Sequence, residues 1–492
     1  MKNKKYLIAI DIGTTSVKCI RFAQDLKIQE KTEFPLETLR PNPETSEQNP
    51  EEIFEAVVKG INALVVSTEE LLAASFSCAM HSLICMDKDG KAISNAIIWA
   101  DTRSINYAEA IKNSSEGKEI YQQTGTPIHP MAPLAKIAWL QEEQPEIFQK
   151  SAKFISIKEY VFFRLYGKYV VDYSIASATG LFDVFELKWN EKALEKAGIT
   201  ESQLSTAFPI THYEKGILRA FKESLKIDLE TPFVLGGSDG CLANLGANAI
   251  QKGDAAVTIG TSGAIRVMAK NSGKDEKQRI FNYILTENHY VLGGAINNGG
   301  VALKWFAENM DDQDPEKKDY SQIIDRIAKI APGSNGLIFL PYLLGERAPH
   351  WDANAKGVFF GVNINHTRDH FLRAVMEGVI FGIYDIGRAL EEVSGDIKRI
   401  YAGGGFAKSE EWVQMLADVF GKEVLITDSH ENSAMGAAII SLKSIGLVGE
   451  LEDIKDFTNI KKVFKPNFTN HHIYQKNFSL FQKLYQSLKN DF

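Results

Sequence analysis

Two short stretches of this 492-residue chain gather the groups that a phosphate needs. Near the start, Tyr6-Leu7-Ile8-Ala9-Ile10 runs into Asp11-Ile12-Gly13-Thr14-Thr15-Ser16. Near the middle, Ala255-Ala256-Val257-Thr258-Ile259 runs into Gly260-Thr261-Ser262-Gly263-Ala264. Each reads as an apolar strand, a tight Gly/Thr/Ser turn and a return strand. Such a turn crowds backbone N–H groups and hydroxyls into a small space, which suits an anion. Used twice, it predicts two similar domains that clamp a nucleotide phosphate. Asp11 is present only in the first copy. As an Asp before a Gly turn it can simply bond its own backbone. As chemistry, it is a carboxylate that organises a magnesium ion beside triphosphate oxygens, with the hydroxyls of Thr14 and Thr15 at the phosphate.

Asp239 stands among Gly236, Gly237 and Gly240, after an apolar strand. A plain turn is one reading. The other is a general base, because phosphoryl transfer to an alcohol needs an acceptor for the hydroxyl proton, and ligands of α/β proteins bind at strand ends. His81 ends another strand and Asp101 and Arg103 end a third, so a polar pocket for a sugar alcohol is expected there. Gly403-Gly404-Gly405 precedes a helix, where backbone can approach a nucleotide closely. There is no GxxxxGK[ST] loop and no GxGxxG in a βαβ setting. His366 and His370 have a metal-ligand spacing, but no HExxH glutamate accompanies them. The stripe Tyr474, Phe478, Phe481 and Tyr485 is read as helix packing.

Strands alternating with helices must position these groups, so the fold class is α/β. Asn49-Pro50-Glu51-Glu52 opens a helix whose apolar residues recur at helical spacing. Helices are also expected over 155–166, 241–249, 301–308, 370–390, 410–420, 434–444 and 473–488. The division between domains is placed near 251, giving 1–250 and 251–492.

Composition is that of an ordinary globular protein, 44% hydrophobic and 24% charged. A net charge of −8 argues against nucleic acid or an anionic membrane as the main partner. The basic start Met1-Lys2-Asn3-Lys4-Lys5 is followed by an apolar run too short for a signal peptide, and no run has the length of a spanning helix. The four cysteines have no CxxC spacing and are read as reduced core residues of a cytoplasmic protein.

Together these motifs resemble the FGGY family of carbohydrate kinases over nearly the whole chain. The stretches 8–16 and 258–264 are similar to its phosphate hairpins, 236–240 to its catalytic segment, 337–361 to a signature segment, and 402–409 to its adenosine segment. His350 departs from the smaller or apolar residue expected in that signature. Ala79-Met80-His81-Ser82, Trp99-Ala100-Asp101-Thr102-Arg103, 125–134 and 285–289 resemble bacterial gluconokinases, and the Met80-His81 pair is also similar to xylulokinases.

The resemblance implies two actin/hexokinase/Hsp70-like (ribonuclease H-like) domains around a central cleft. It implies ATP and Mg2+ as cofactors, and ATP-dependent phosphorylation of the terminal hydroxyl of D-gluconate. It assigns Asp239 as general base. Met80, His81, Asp101 and Asp239 become sugar contacts, and Asp11 and Asp239 the metal-site acids. Thr14, Thr15, Ser16, Thr261 and Ser262 become phosphate contacts, with Gly300, Lys304, Gly404 and Lys408 lining the nucleotide site. Arg103, His129 and Lys136 are candidates to meet a substrate carboxylate. Partners are a small sugar or sugar acid and ATP, with a homodimer left open. The rival readings are another sugar kinase, an actin- or Hsp70-like ATPase, and a sugar-responsive repressor.

Overall fold

The computed structural model describes residues 5–310, 324, 326–427, 431–451 and 459–492; the basic start at 1–4 lies outside the described residues. The chain divides into two compact units. Unit 1 comprises Met1–Ile250, Ala269–Val291 and Glu431–Phe457; unit 2 comprises Gln251–Met268, Leu292–His430 and Thr458–Phe492.

Unit 1 is built on six strands: β1 (Tyr6–Ile12), β2 (Ser16–Ala23), β3 (Ile28–Pro35), β4 (Leu71–Cys78), β5 (Tyr213–Glu214) and β6 (Phe233–Ser238), in the order β5-β6-β4-β1-β2-β3. The central strands β1 and β4 are apolar along almost their whole length, as expected for strands covered on both faces. The edge strand β3 carries charges and is mostly exposed, which discourages pairing with another chain.

A second sheet of seven strands lies mostly in unit 2, while its strand Phe281–Thr286 and the start of His289–Ile296 fall in the 269–291 stretch assigned to unit 1. It contains β7 (Asp254–Ile259), β8 (Gly263–Ala269), β9 (Phe281–Thr286), β10 (His289–Ile296), β11 (Arg399–Gly403), β12 (Glu423–Thr427) and β13 (Ile460–Phe464), in the order β9-β10-β8-β7-β11-β12-β13. Both sheets follow one plan. The hairpin β1–β2 is antiparallel, β1–β4 and β4–β6 are parallel, and β6–β5 is antiparallel. In unit 2, β7–β8 is antiparallel, β7–β11 and β11–β12 are parallel, and β12–β13 is antiparallel. The two Gly/Thr/Ser turns therefore occupy equivalent places in two like sheets.

Local signals mark most helices correctly. Asn49 caps Pro50–Leu64, with Pro50 in its first turn. Thr367 and His370 form a capping box at the start of Arg368–Ser394, which uses His370 as a helix cap. All four cysteines are buried and free. Tyr474, Phe478, Phe481 and Tyr485 are the buried stripe of Phe468–Leu488. No helix among the described residues is long and apolar enough to cross a membrane.

Beyond the break at 250/251, the chain returns to unit 1 twice. The second return is the helix Asn432–Ser444, which packs tightly against Asp239–Gly246. Their backbones approach so closely that a Cβ at Gly246 would lie 2.0 Å from the Asn432 carbonyl oxygen. A Cβ at Gly436 would lie 2.2 Å from the Leu242 carbonyl oxygen. Glycine at both crossings is what permits this contact. The Ser75 hydroxyl of β4 also donates to the Ala437 carbonyl at 2.7 Å.

Gly436→Val should therefore destabilise unit 1 by about 1–3 kcal/mol, as overpacking does where the opposing atoms are backbone. Urea unfolding measures it; an unchanged midpoint would show that the helix pair yields freely.

Candidate active site

The parallel register of β1, β4 and β6 sets the first half of the site. Asp11 of β1 pairs with Ser77 of β4, and Ser77 pairs in turn with Gly237 of β6. The ends of three neighbouring strands thus bring Asp11, Ser77 and Asp239 to one edge of the sheet. Ser77 donates its hydroxyl to Asp11 Oδ1 at 2.6 Å. Gly236 adopts φ +61° at an irregularity in the β6–β4 pairing, and a Cβ there would lie 1.8 Å from the Phe76 carbonyl oxygen. Only glycine fits, so the strand end that presents Asp239 depends on it.

Asp239 was expected within a glycine turn, with the helix beginning at 241. It is instead the first residue of the helix Asp239–Gly246, capped by Ser238, whose hydroxyl oxygen accepts from the Cys241 N–H. The chain passes directly from strand to helix because Ser238 satisfies the free N–H groups of the first turn. Asp239 Oδ1 accepts from the Gly240 N–H at 2.7 Å.

Burial pushes the Asp11 carboxyl up to about 6. The Ser77 hydrogen bond opposes the shift, the negative charge of Asp239 adds to it, and the Lys18 ammonium opposes it. Lys18, facing Asp11 across the β1–β2 hairpin, pairs with Glu431 at 2.8 Å. Among the described residues no group of three or more His, Cys, Asp or Glu is arranged to hold a metal. Magnesium usually takes only one or two carboxylates beside substrate phosphates and water, so the Asp11 and Asp239 pair fits that ion.

The first turn is braced from the side. Gln48 Nε2 donates to the Thr14 carbonyl at 2.7 Å, and Trp99 Nε1 donates to the Thr14 hydroxyl at 3.0 Å. Ser16 donates its hydroxyl to Glu33 at 2.5 Å, while Thr15 is exposed.

The sugar-side residues lie in unit 1 as well. His81 is buried, and its backbone is left-handed at φ +69°. Its Nδ1 lies 2.7 Å from the Ala178 carbonyl oxygen. A carbonyl only accepts, so Nδ1 carries a proton, and in the neutral form of the ring Nε2 is left as the acceptor. The Tyr283 hydroxyl stands 3.5 Å from Nε2. Met80 beside it is partly exposed.

A short helix, Tyr173–Ser177, lies between this ring and the start of the Asp239–Gly246 helix. Its Ser174 hydroxyl bonds the Ser238 hydroxyl and N–H, and its Ser177 hydroxyl accepts from the Ile284 N–H next to Tyr283. Asp101, expected to touch substrate, is only 1% exposed and accepts from the Ser46 N–H and from Arg103. It positions Arg103, which also reaches Glu47 and stacks over Trp139. Lys136 is fully buried and spends its donors on three main-chain carbonyls, so it is corrected from a carboxylate ligand to an internal group. His129 Nδ1 accepts from the Met131 N–H.

Unit 2 holds a cavity of about 870 Å3. Thr261, Gly300, Lys304 and Lys408 line it, with apolar walls from Ile259, Leu303, Phe406 and Trp412. The turn at its floor is tied by main chain alone: Gly300 N–H donates to the Gly260 carbonyl at 2.7 Å and Val301 N–H to the Thr261 carbonyl at 3.2 Å. Gly404, at φ +87°, sits where a Cβ would come within 2.7 Å of the Ile259 carbonyl oxygen. Gly404 and Ser262, expected as nucleotide contacts, are not part of the lining. His366 and His370 stay apart from both sites; His366 Nδ1 accepts from the Asn363 N–H and His370 bonds Thr367. The unexpected His350 packs its ring on Tyr485 with centroids 3.7 Å apart.

Several participants carried no local signal. Ser77, Glu431 and Tyr283 matter only through partners far away in the chain. Lys18 was accessible in principle, because a hairpin turn with known register pairs it with Asp11.

The raised carboxyl of Asp11 yields a prediction. Its folded pKa lies above the unfolded one, so the native state holds more protons between about pH 4 and 6, and stability falls as pH rises through that window. Asp11→Asn should therefore raise Tm at pH 8 in chelator-treated buffer, reflecting a stability gain on the order of 1–3 kcal/mol that fades towards pH 4. A variant no more stable than the wild type at pH 8 would contradict the electrostatic account.

The comparisons with known proteins agree with this layout. Residues 6–246 match the N-terminal domain, and residues 255–444 the C-terminal domain, of the FGGY family of carbohydrate kinases. A gluconokinase of Bacillus subtilis is 46% identical over 92% of this chain and 90% of its own length. A xylulose kinase of Staphylococcus epidermidis is 30% identical over 99% of this chain and 97% of its own. The crystal structure of a gluconate kinase from Lactobacillus acidophilus superposes with a TM-score of 0.94 at 35% identity, covering 98% of each chain. With both family domains matched in order around the two equivalent hairpins, the chain belongs to the FGGY family of carbohydrate kinases.

Proposed function

We propose that this kinase transfers the γ-phosphoryl group of ATP to the terminal hydroxyl of D-gluconate, giving 6-phosphogluconate and ADP. The observation that carries the reading is the near-full-length likeness to proteins named for gluconate, in sequence and in structure. In this reading unit 1 binds the sugar acid, through Met80, His81 and Arg103. Unit 2 binds ATP in the cavity above the Gly260–Ser262 turn, with Lys304 and Lys408 as cationic groups near it.

Asp239 accepts the proton of the attacking hydroxyl. The hydroxyl oxygen forms the new bond to the γ-phosphorus as the bond to the β,γ-bridging oxygen breaks, and ADP leaves with the released electron pair. The N–H groups and hydroxyls of the turns at Gly13–Ser16 and Gly260–Ser262 stabilise charge on the phosphates. Asp11 and Asp239 would hold magnesium, which when bound supplies positive charge beside the phosphate oxygens. His81 accepts a hydrogen bond from a substrate hydroxyl through Nε2. Arg103 and His129 are the candidates for the substrate carboxylate. A cytoplasmic location belongs to the same reading.

Asp239→Asn should lower kcat by ~10²–10⁴ while ATP affinity is kept, because a general base contributes about that much. Near-normal turnover would remove the base role. A coupled ADP-release assay over sugars and sugar acids tests the substrate. Saturation with gluconate is expected; saturation with D-xylulose over a gluconate background would favour a xylulokinase, the reading to which the 30% identical relative points.

A further inference from the structure

The core of unit 1 contains an ammonium group that no step above uses. Lys136 lies in the helix Pro133–Glu143 and is 0% exposed. Among the described residues no carboxylate bonds it directly, and the Asp101 charge acts on it only from a distance. Its Nζ donates to the carbonyl oxygens of His81 at 2.6 Å, Ile98 at 2.9 Å and Ile97 at 3.2 Å. An ammonium has three protons, and three carbonyls take them all.

A buried cation without an ionic partner is an unfavourable core residue, and an apolar side chain of the same length would normally be preferred. The acceptors give it a purpose. One belongs to the Met80-His81 turn, at the residue whose backbone is left-handed at φ +69°. The other two, Ile97 and Ile98, come just before Trp99, which bonds Thr14, and Asp101 follows two residues after Trp99 and holds Arg103. These two segments are separate in the sequence and carry the residues on the sugar side. Left-handed backbone at a residue with a side chain persists only where its surroundings hold it.

We propose that Lys136 is a positioning residue: its ammonium braces the His81 carbonyl to the 97–98 strand end, so that the His81 ring and the Trp99–Arg103 loop keep one spacing for the sugar. It acts through His81 and Arg103 and does not touch substrate. The brace also explains why the position is a lysine, since only a cation with three donors joins three carbonyls at one point. Burial pushes the group down to about 7; the Asp101 carboxylate opposes the shift and the Arg103 guanidinium adds to it.

The proposal rests on the sugar kinase reading, and the experiment separates the two. Wild-type enzyme is first assayed over the sugar panel, which fixes the substrate whatever it proves to be. Lys136→Met and Lys136→Gln are then compared on that substrate. Met keeps the length and removes every donor; Gln restores two donors.

The expected result for Lys136→Met is a sugar KM raised about tenfold or more, with the KM for ATP within about twofold of wild type. Lys136→Gln should fall between. Lys136→Met should still fold, with a Tm lowered because the His81 carbonyl loses its donor and partly recovered in Lys136→Gln. Unchanged sugar KM in Lys136→Met would overturn the proposal. So would an equal loss for sugar and ATP, and so would failure of both variants to fold, since each assigns Lys136 to the core alone.

Discussion

The site depends on two carboxylates being kept near one another at the edge of one sheet. Asp11 and Asp239 feel each other's charge, and Asp11 is buried enough to resist ionisation. Left free, such acids would move apart or take up a proton. They cannot move, because each is attached to a central parallel strand whose register is fixed through β4. What offsets the repulsion is local: the Ser77 hydroxyl, the Lys18 ammonium and the N–H of Gly240. The arrangement is costly by itself, and in the proposed function a cation at the pair would relieve the repulsion. Rigid strands, rather than loops, are the elements able to sustain that cost.

Polarity elsewhere in unit 1 is used to orient rather than to react. Ala178 sets the tautomer of His81, Asp101 sets the direction of Arg103, and the short Tyr173–Ser177 helix joins His81, Tyr283 and the cap of the base helix through hydroxyls and carbonyls. The cavity of unit 2, proposed above for the nucleotide, is different in kind. Its floor is main chain bonded to main chain, with glycine wherever a Cβ would collide. Phosphate recognition of this sort asks for little side-chain identity beyond Gly, Ser and Thr.

That difference explains what could be read early. Both Gly/Thr/Ser turns, the capped starts of the helices at 50 and 368, and the aromatic stripe of the last helix are local patterns, and local patterns survive in one dimension. Asp239 was legible as an acid at a strand end. Its exact place as the first helical residue was not, because Ser238 could serve as a cap or as part of a longer turn. Lys136 looked like a ligand for an anion, since nothing nearby in the sequence reveals that three carbonyls from two other segments surround it. The helix Asn432–Ser444 reads as apolar on every side, so its pattern names no partner.

From sequence alone came the duplicated strand–turn–strand plan, the α/β class, and the resemblance that the family comparison establishes. Each rests on residues adjacent in the chain, where propensity and turn chemistry act directly. Only the tertiary structure decided which strand ends are neighbours, and so that Asp11 and Asp239 stand at strand ends on either side of the strand carrying Ser77. It also decided that the chain returns to unit 1 after 431, that the His81 ring is an acceptor, and that Lys136 is internal. These are properties of register, burial and long-range hydrogen bonds, which exist only after distant segments have packed.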